Sequence, residues 1–105
     1  MSEVAVSNSS EFAAFVGLDW ADQKHDVALA EAGAARCEHL EVVHSAEAID
    51  AWACGLRTRF AGKLVAVCFE ETRGAIAYAL LKYDFLVLFP LPPARLTRYR
   101  EAALR

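Results

Sequence analysis

The hydrophobic period of this chain changes at Ser45, and that change limits the folds open to it. Before Ser45 the apolar stretches are short, rich in β-formers and separated by small polar turns. After it, helical spacing alternates with short apolar runs. Residues 12–20 predict a buried strand ending near Asp19. Residues 21–25 predict a polar turn, residues 26–32 a second strand, and Gly33-Ala34-Ala35 another turn. Residues 36–44 alternate loosely and predict a third strand near a sheet edge. Three strands joined by such turns make an antiparallel meander.

Ser45 is placed to cap a helix, with Glu47 in the first turn. Ile49, Trp52, Ala53, Leu56 and Phe60 recur at helical spacing, which predicts an amphipathic helix over 46–60, ended by Gly62. Residues 64–69 are continuously apolar, as in a strand covered on both faces. That run leads into Glu70-Glu71-Thr72-Arg73-Gly74. A second helix is predicted over 75–83, with Ile76, Leu80 and Tyr83 inward. A fifth strand over 85–89 is stopped by Pro90, Pro92 and Pro93. Pro93 suits the first turn of a last helix whose apolar stripe is Leu96, Tyr99 and Ala103.

The predicted order is β-β-β-α-β-α-β-α, and its second half implies right-handed parallel crossovers. A meander followed by such crossovers is a mixed α/β sheet with a ribonuclease H-like layout. Residues 1–12, small and polar for the most part, are expected to form a flexible arm, and residues 13–105 the domain.

Composition removes several function classes. With 105 residues, 56% of them hydrophobic, the chain has room for one core and is too apolar for a disordered tail. Its longest apolar runs, such as residues 85–93, are too short to span a membrane. The first 23 residues hold no lysine or arginine, unlike a secretory signal. Cys37, Cys54 and Cys68 form no CxxC, so neither a zinc knuckle nor a disulfide framework is expected. A reducing, cytoplasmic setting follows. The net charge of −3 argues against a nucleic-acid binder, yet residues 91–105 carry a local charge of +3. An acidic body with a basic end fits a carboxylate site beside a phosphate-contacting helix; the plain alternative is a solvated helix face.

Asp19 is the first candidate site residue. A carboxylate at the end of an apolar strand does little for stability. Glu70 and Glu71 end the fourth strand, which lies beside the first if the first is central. Asp19 and one glutamate of that pair then approach each other. Neighbouring carboxylates repel unless a proton or cation sits between them. Hard oxygen ligands suit Mg²⁺ or Mn²⁺, and a pair of such ions about 3.5–4 Å apart is a common device for cutting phosphodiesters. The alternative is that both glutamates face water. His25, placed in a turn, is expected to be solvated, and His39 and His44 are expected at the surface. Trp20 and Trp52 are expected in the core or a site wall. Arg73 beside Gly74, and Arg95 and Arg98 on the last helix, are the candidate phosphate contacts. There is no GxSxG elbow and no glycine-rich phosphate loop.

Three stretches carry a family resemblance. The first is Phe15-Val16-Gly17-Leu18-Asp19-Trp20-Ala21-Asp22-Gln23-Lys24-His25-Asp26-Val27-Ala28. The second is Phe69-Glu70-Glu71-Thr72-Arg73-Gly74-Ala75 with Tyr78-Ala79-Leu80. The third is residues 83–90 followed by Pro93-Ala94-Arg95-Leu96 and Tyr99-Arg100-Glu101-Ala102. In order and spacing they resemble an insertion-sequence transposase family with an N-terminal RuvC-like domain bearing an Asp-Glu-Asp-Asp set. Piv-type DNA invertases and bridge-RNA-guided recombinases belong to that family.

The resemblance implies that Asp19 is the first acid and Glu70 the second, Glu70 being the acid two residues before the threonine. It implies that both bind Mg²⁺ (or Mn²⁺) for DNA strand cleavage and exchange. It further implies DNA as partner, a guide RNA in some full-length relatives, a homo-oligomer and no membrane. The family's third and fourth acids come as a close pair on a later segment, and its nucleophilic serine lies in a separate domain. No closely spaced aspartate pair follows Glu70 here. The chain is therefore expected to be an N-terminal portion, inactive alone, its last helix cut and not finished. The alternatives are a non-catalytic nucleic-acid-binding or assembly module, and an inactive remnant. An actin-like ATPase shares the early topology but needs phosphate hairpins that Trp20-Ala21-Asp22-Gln23-Lys24 does not provide.

Overall fold

The computed structural model describes residues 11–70 and 74–92. They form five strands and two helices: β1 Ala14–Asp19, β2 Lys24–Glu31, β3 Cys37–Val43, α1 Ala46–Arg59, β4 Val65–Glu70, α2 Gly74–Leu80 and β5 Leu86–Leu91. The strands make one mixed sheet in the order β3-β2-β1-β4-β5. β1 pairs antiparallel with β2 and parallel with β4; β2–β3 is antiparallel and β4–β5 parallel. The chain is thus an α/β protein with a central β1, as the sequence pattern predicts. The last predicted helix and most of the N-terminal arm lie outside the described residues. Among the described residues no helix is long and apolar enough to cross a membrane.

Strand alternation decides the layering. Ala14, Val16 and Leu18 of β1, Val27 and Leu29 of β2, and Val65, Val67 and Phe69 of β4 point to one face. There they meet Ile49, Ala53 and Leu56 of α1 and Ile76 and Leu80 of α2, so both helices cover the same side. Val16, Val65, Val67 and Ile76 are fully buried in this core. The opposite face is floored with small buried residues, Gly17, Ala28, Ala66 and Cys68. Phe12 joins that side at its rim, packing against Phe15 and Phe89 with ring centroids 5.9 and 6.0 Å apart.

Local chemistry sets the element ends. Ser45 accepts a hydrogen bond from the Ala48 N–H at 3.0 Å, closing the first turn of α1. At the other end Gly62 N–H donates to Arg57 O at 2.8 Å and Ala61 N–H to Thr58 O at 3.3 Å. This pair of bonds is a Schellman cap. Its left-handed residue is Ala61, at φ 55°, and Gly62 follows at φ 76°. Arg57 and Arg59 occupy the last turn, where cations suit the helix dipole. Arg59 also spans the sheet, donating to Glu31 at 3.1 Å and to Glu38 at 2.9 Å. It thereby ties β2 and β3 to the end of α1.

Three boundaries depart from the sequence expectation. β5 is not stopped by Pro90 but runs through it to Leu91, because among the described residues β5 is an edge strand, where a residue without an N–H is tolerated. α2 stops at Leu80, so Tyr83 lies beyond it; Tyr83 is nevertheless buried and donates its hydroxyl to Asp50 Oδ1 on α1 at 2.9 Å. β2 begins at Lys24, two residues earlier than expected, because its pairing with β3 continues through His25↔Val42 and Lys24↔Val43. His44 N–H then closes the ladder on Gln23 O at 2.8 Å.

Candidate functional site

Asp19 and Glu70 are the last residues of β1 and β4, which lie side by side and run in the same direction. Leu18 and Phe69 are register partners, so each acid stands one residue beyond the same pair. Both project to the face opposite the helices, Asp19 exposed and Glu70 half-buried. The sequence expectation that these two acids share one end of neighbouring strands therefore matches the register.

The register also brings up acids that the sequence reading left aside. Asp19 pairs across β2 with Asp26, and Asp26 pairs across β3 with Glu41. Glu41, Asp26, Asp19 and Glu70 thus form a row over four strands on one face. Like charges placed directly opposite on antiparallel strands are destabilising. Lys24 answers part of that cost, reaching Glu41 Oε1 at 3.3 Å. No single-sequence pattern announces such a row, because strand order and register create it.

His25 corrects the expectation of a solvated turn residue. It lies inside β2, on the core face with Val27 and Leu29, and is 1% exposed. Its period-two spacing with those two residues is the signal that would have placed it there. The ring stacks on Trp20, with centroids 3.7 Å apart and planes 12° from parallel. Its Nδ1 accepts from the Ala21 N–H at 2.9 Å, so that nitrogen carries no proton. The ring proton is then on Nε2, which donates to His44 Nδ1 at 3.0 Å. His44, exposed as expected, stands nearly perpendicular to His25. Burial is the main cause holding the His25 pKa below its ordinary value, reinforced by His44 and opposed by Asp19.

This Trp20–His25–His44 clasp fixes the segment that leaves Asp19. A carboxylate at a strand end needs a rigid support if it is to hold a ligand in place. Trp20 is partly buried against the core, as expected, and so is Trp52 on α1.

Carboxylate oxygens are the donors that Mg²⁺ and Mn²⁺ prefer, so Asp19 and Glu70 fit part of such a coordination sphere. Among the described residues no group of three or more His, Cys, Asp or Glu side chains is arranged to hold a metal ion. Arg73, Arg95 and Arg98 lie outside the described residues, as does Glu71. Compared with protein-family models and with curated proteins, the chain matches none.

Proposed function

We propose that this chain is part of a ribonuclease H-like, RuvC-type nuclease domain of an insertion-sequence transposase or recombinase. In this reading Asp19 and Glu70 supply two of the acids that bind Mg²⁺ for DNA strand cleavage and exchange. One observation carries the reading: the two acids stand one residue past the Leu18–Phe69 pair, at the ends of adjacent parallel strands in a β3-β2-β1-β4-β5 sheet. A carboxylate pair at the carboxyl ends of central strands is where an α/β sheet places ligands.

The chemistry assigned to the chain is limited to what its residues can do. Asp19 and Glu70 would hold the cation, and the cation, when bound, would polarise a phosphodiester and its attacking oxygen. The Trp20–His25–His44 clasp would keep Asp19 in position. Two carboxylates leave most of a hydrated Mg²⁺ shell to water and to further ligands, so this part of the site binds weakly and does not cut DNA. DNA, a cytoplasmic setting and the remaining acids on a later segment belong to the same reading, which draws on the resemblance of the three motif stretches.

The test is paramagnetic broadening by Mn²⁺ in the full 105-residue chain. Amide signals next to Asp19 and Glu70 are expected to broaden first, and Asp19→Asn is expected to abolish the effect. Broadening centred elsewhere, or unchanged in Asp19→Asn, rejects the metal assignment.

A further inference from the structure

Among the described residues β3 is an edge strand, paired with β2 alone. Its outer side presents a row of backbone N–H and C=O groups, a template for a strand from another chain. It also carries two exposed apolar side chains, Leu40 at 41% and Val43 at 58% exposure. The other edge, β5, contains Pro90, which has no N–H to contribute to a ladder. β3 is therefore the edge suited to pairing.

A second copy of the chain is the occupant its side chains fit. Two copies related by a two-fold axis perpendicular to the sheet pair antiparallel, with each face continuing across the join. Each residue must then meet one from the same face, which allows only every other register. A register centred on Glu38 or Glu41 sets that glutamate against its own copy. One centred on His39 sets Glu38 against Leu40 and Glu41 against Cys37. Centred on Leu40, no carboxylate meets another: Glu38, its charge answered by Arg59 of its own copy, stands opposite Val42, and the other pairs match. Leu40 meets Leu40, Cys37 meets Val43, and His39 meets Glu41 twice over. In each His39–Glu41 pair an imidazole N–H faces a carboxylate, the kind of cross-strand pairing that stabilises a ladder.

The neighbouring contacts leave this register open. Lys24 engages Glu41 through Oε1, so Oε2 is the oxygen for the second copy's His39. Arg59 holds Glu38 on the helix side of the sheet and so answers its charge within its own copy where it stands opposite Val42 of the second. We propose that the chain self-associates by antiparallel pairing of β3 with β3 about an axis through Leu40, merging two sheets into one. The inference rests on β3 alone and is independent of the metal reading.

The test is a concentration series by sedimentation velocity on the full chain under reducing conditions, with variants His39→Glu and His39→Glu/Glu41→Lys. Both substituted positions are exposed, and circular dichroism confirms that each variant is folded. The wild type is expected to dimerise. His39→Glu sets two glutamates against each other at both ends of the join and is expected to weaken the dimer by about tenfold or more. The double variant rebuilds the pair with its charges exchanged and is expected to restore wild-type association. A monomer at every concentration shows that Glu38, His39 and Glu41 guard the edge instead, and overturns the proposal. Association that ignores His39→Glu, or that the double variant does not restore, overturns it equally.

Discussion

Nε2 of His25 donates to Nδ1 of His44 across 3.0 Å, while the Ala21 N–H occupies the other nitrogen of the buried ring. Both ring nitrogens of His25 are therefore committed in its neutral form. A proton can be added only at Nδ1, where the Ala21 N–H already points. Charging His25 means breaking the turn that follows Asp19.

Acid sensitivity follows from that arrangement. The folded His25 pKa lies below its ordinary value of 6.5, so the unfolded chain takes up the proton first as pH falls. The stabilising contribution is complete above the ordinary value and is lost as pH falls through the folded one. The urea midpoint of the wild type is expected to drop as pH is lowered from about 7 towards 5. His25→Phe keeps a ring against Trp20 but loses both hydrogen bonds. It is expected to cost about 1 kcal/mol at neutral pH and to flatten this slope. An equally steep slope in His25→Phe would place the acid sensitivity elsewhere.

Tyr83 gives a prediction of opposite sign. Burial is the main cause pushing its phenol up to about 12, and the hydrogen bond to Asp50 adds to it. Between the ordinary tyrosine value of 10.0 and that folded value, the unfolded chain releases the proton and the folded chain keeps it. Stability is thus full below the ordinary value and declines as pH rises through the folded one. Absorbance titration should show one of the three tyrosines ionising last, and Tyr83→Phe should remove that step. Asp50→Asn should lower the last step only in part, because burial remains.

Much of this fold is legible in the sequence because its signals are local. Ser45 announces a cap, Ile49, Ala53 and Leu56 announce a helix face, and the run Val65–Phe69 announces a buried strand. Asp19 and Glu70 are legible as strand-end acids for the same reason. His25 is less so: its period-two spacing with Val27 and Leu29 is there, but Lys24 and His25 read as a polar turn until β3 extends the ladder past them. Asp26 and Glu41 are not legible. Their place beside Asp19 depends on register between strands, and register is a property of the assembled sheet. Tyr83 shows the intermediate case: its burial follows from helical spacing with Ile76 and Leu80, although the helix has ended before it.

The cap of α1 separates two backbone effects. Ala61 adopts a left-handed conformation at φ 55°, which costs an L-residue about 1 kcal/mol or more. Ala61→Gly removes that strain but adds freedom to the unfolded chain. The net gain is expected to be about 0.5 kcal/mol, seen as a higher urea midpoint with an unchanged slope. Gly62→Ala tests the converse. A Cβ there meets nothing within 4 Å, so the expected loss of about 1 kcal/mol is backbone strain alone.

The acid row predicts how divalent cations act on stability. Asp19 faces Asp26 across one strand pair and neighbours Glu70 across the other, so charge accumulates at one end of the sheet. A cation held there binds the folded chain and has no such site in the unfolded one. By linkage, Mg²⁺ at about ten times its dissociation constant adds about 1.4 kcal/mol. The melting temperature is therefore expected to rise with Mg²⁺ beyond the rise produced by NaCl at equal ionic strength. Diffuse screening relieves like-charge repulsion equally well with either salt, so the difference between them measures specific binding. Asp19→Asn and Glu70→Gln should each erase that difference. His39→Glu, on the same face but at the β3 edge, should leave it intact. If the two salts act alike on the wild type, the row is only a repulsive feature that ions screen, and Asp19 and Glu70 hold no cation in this chain.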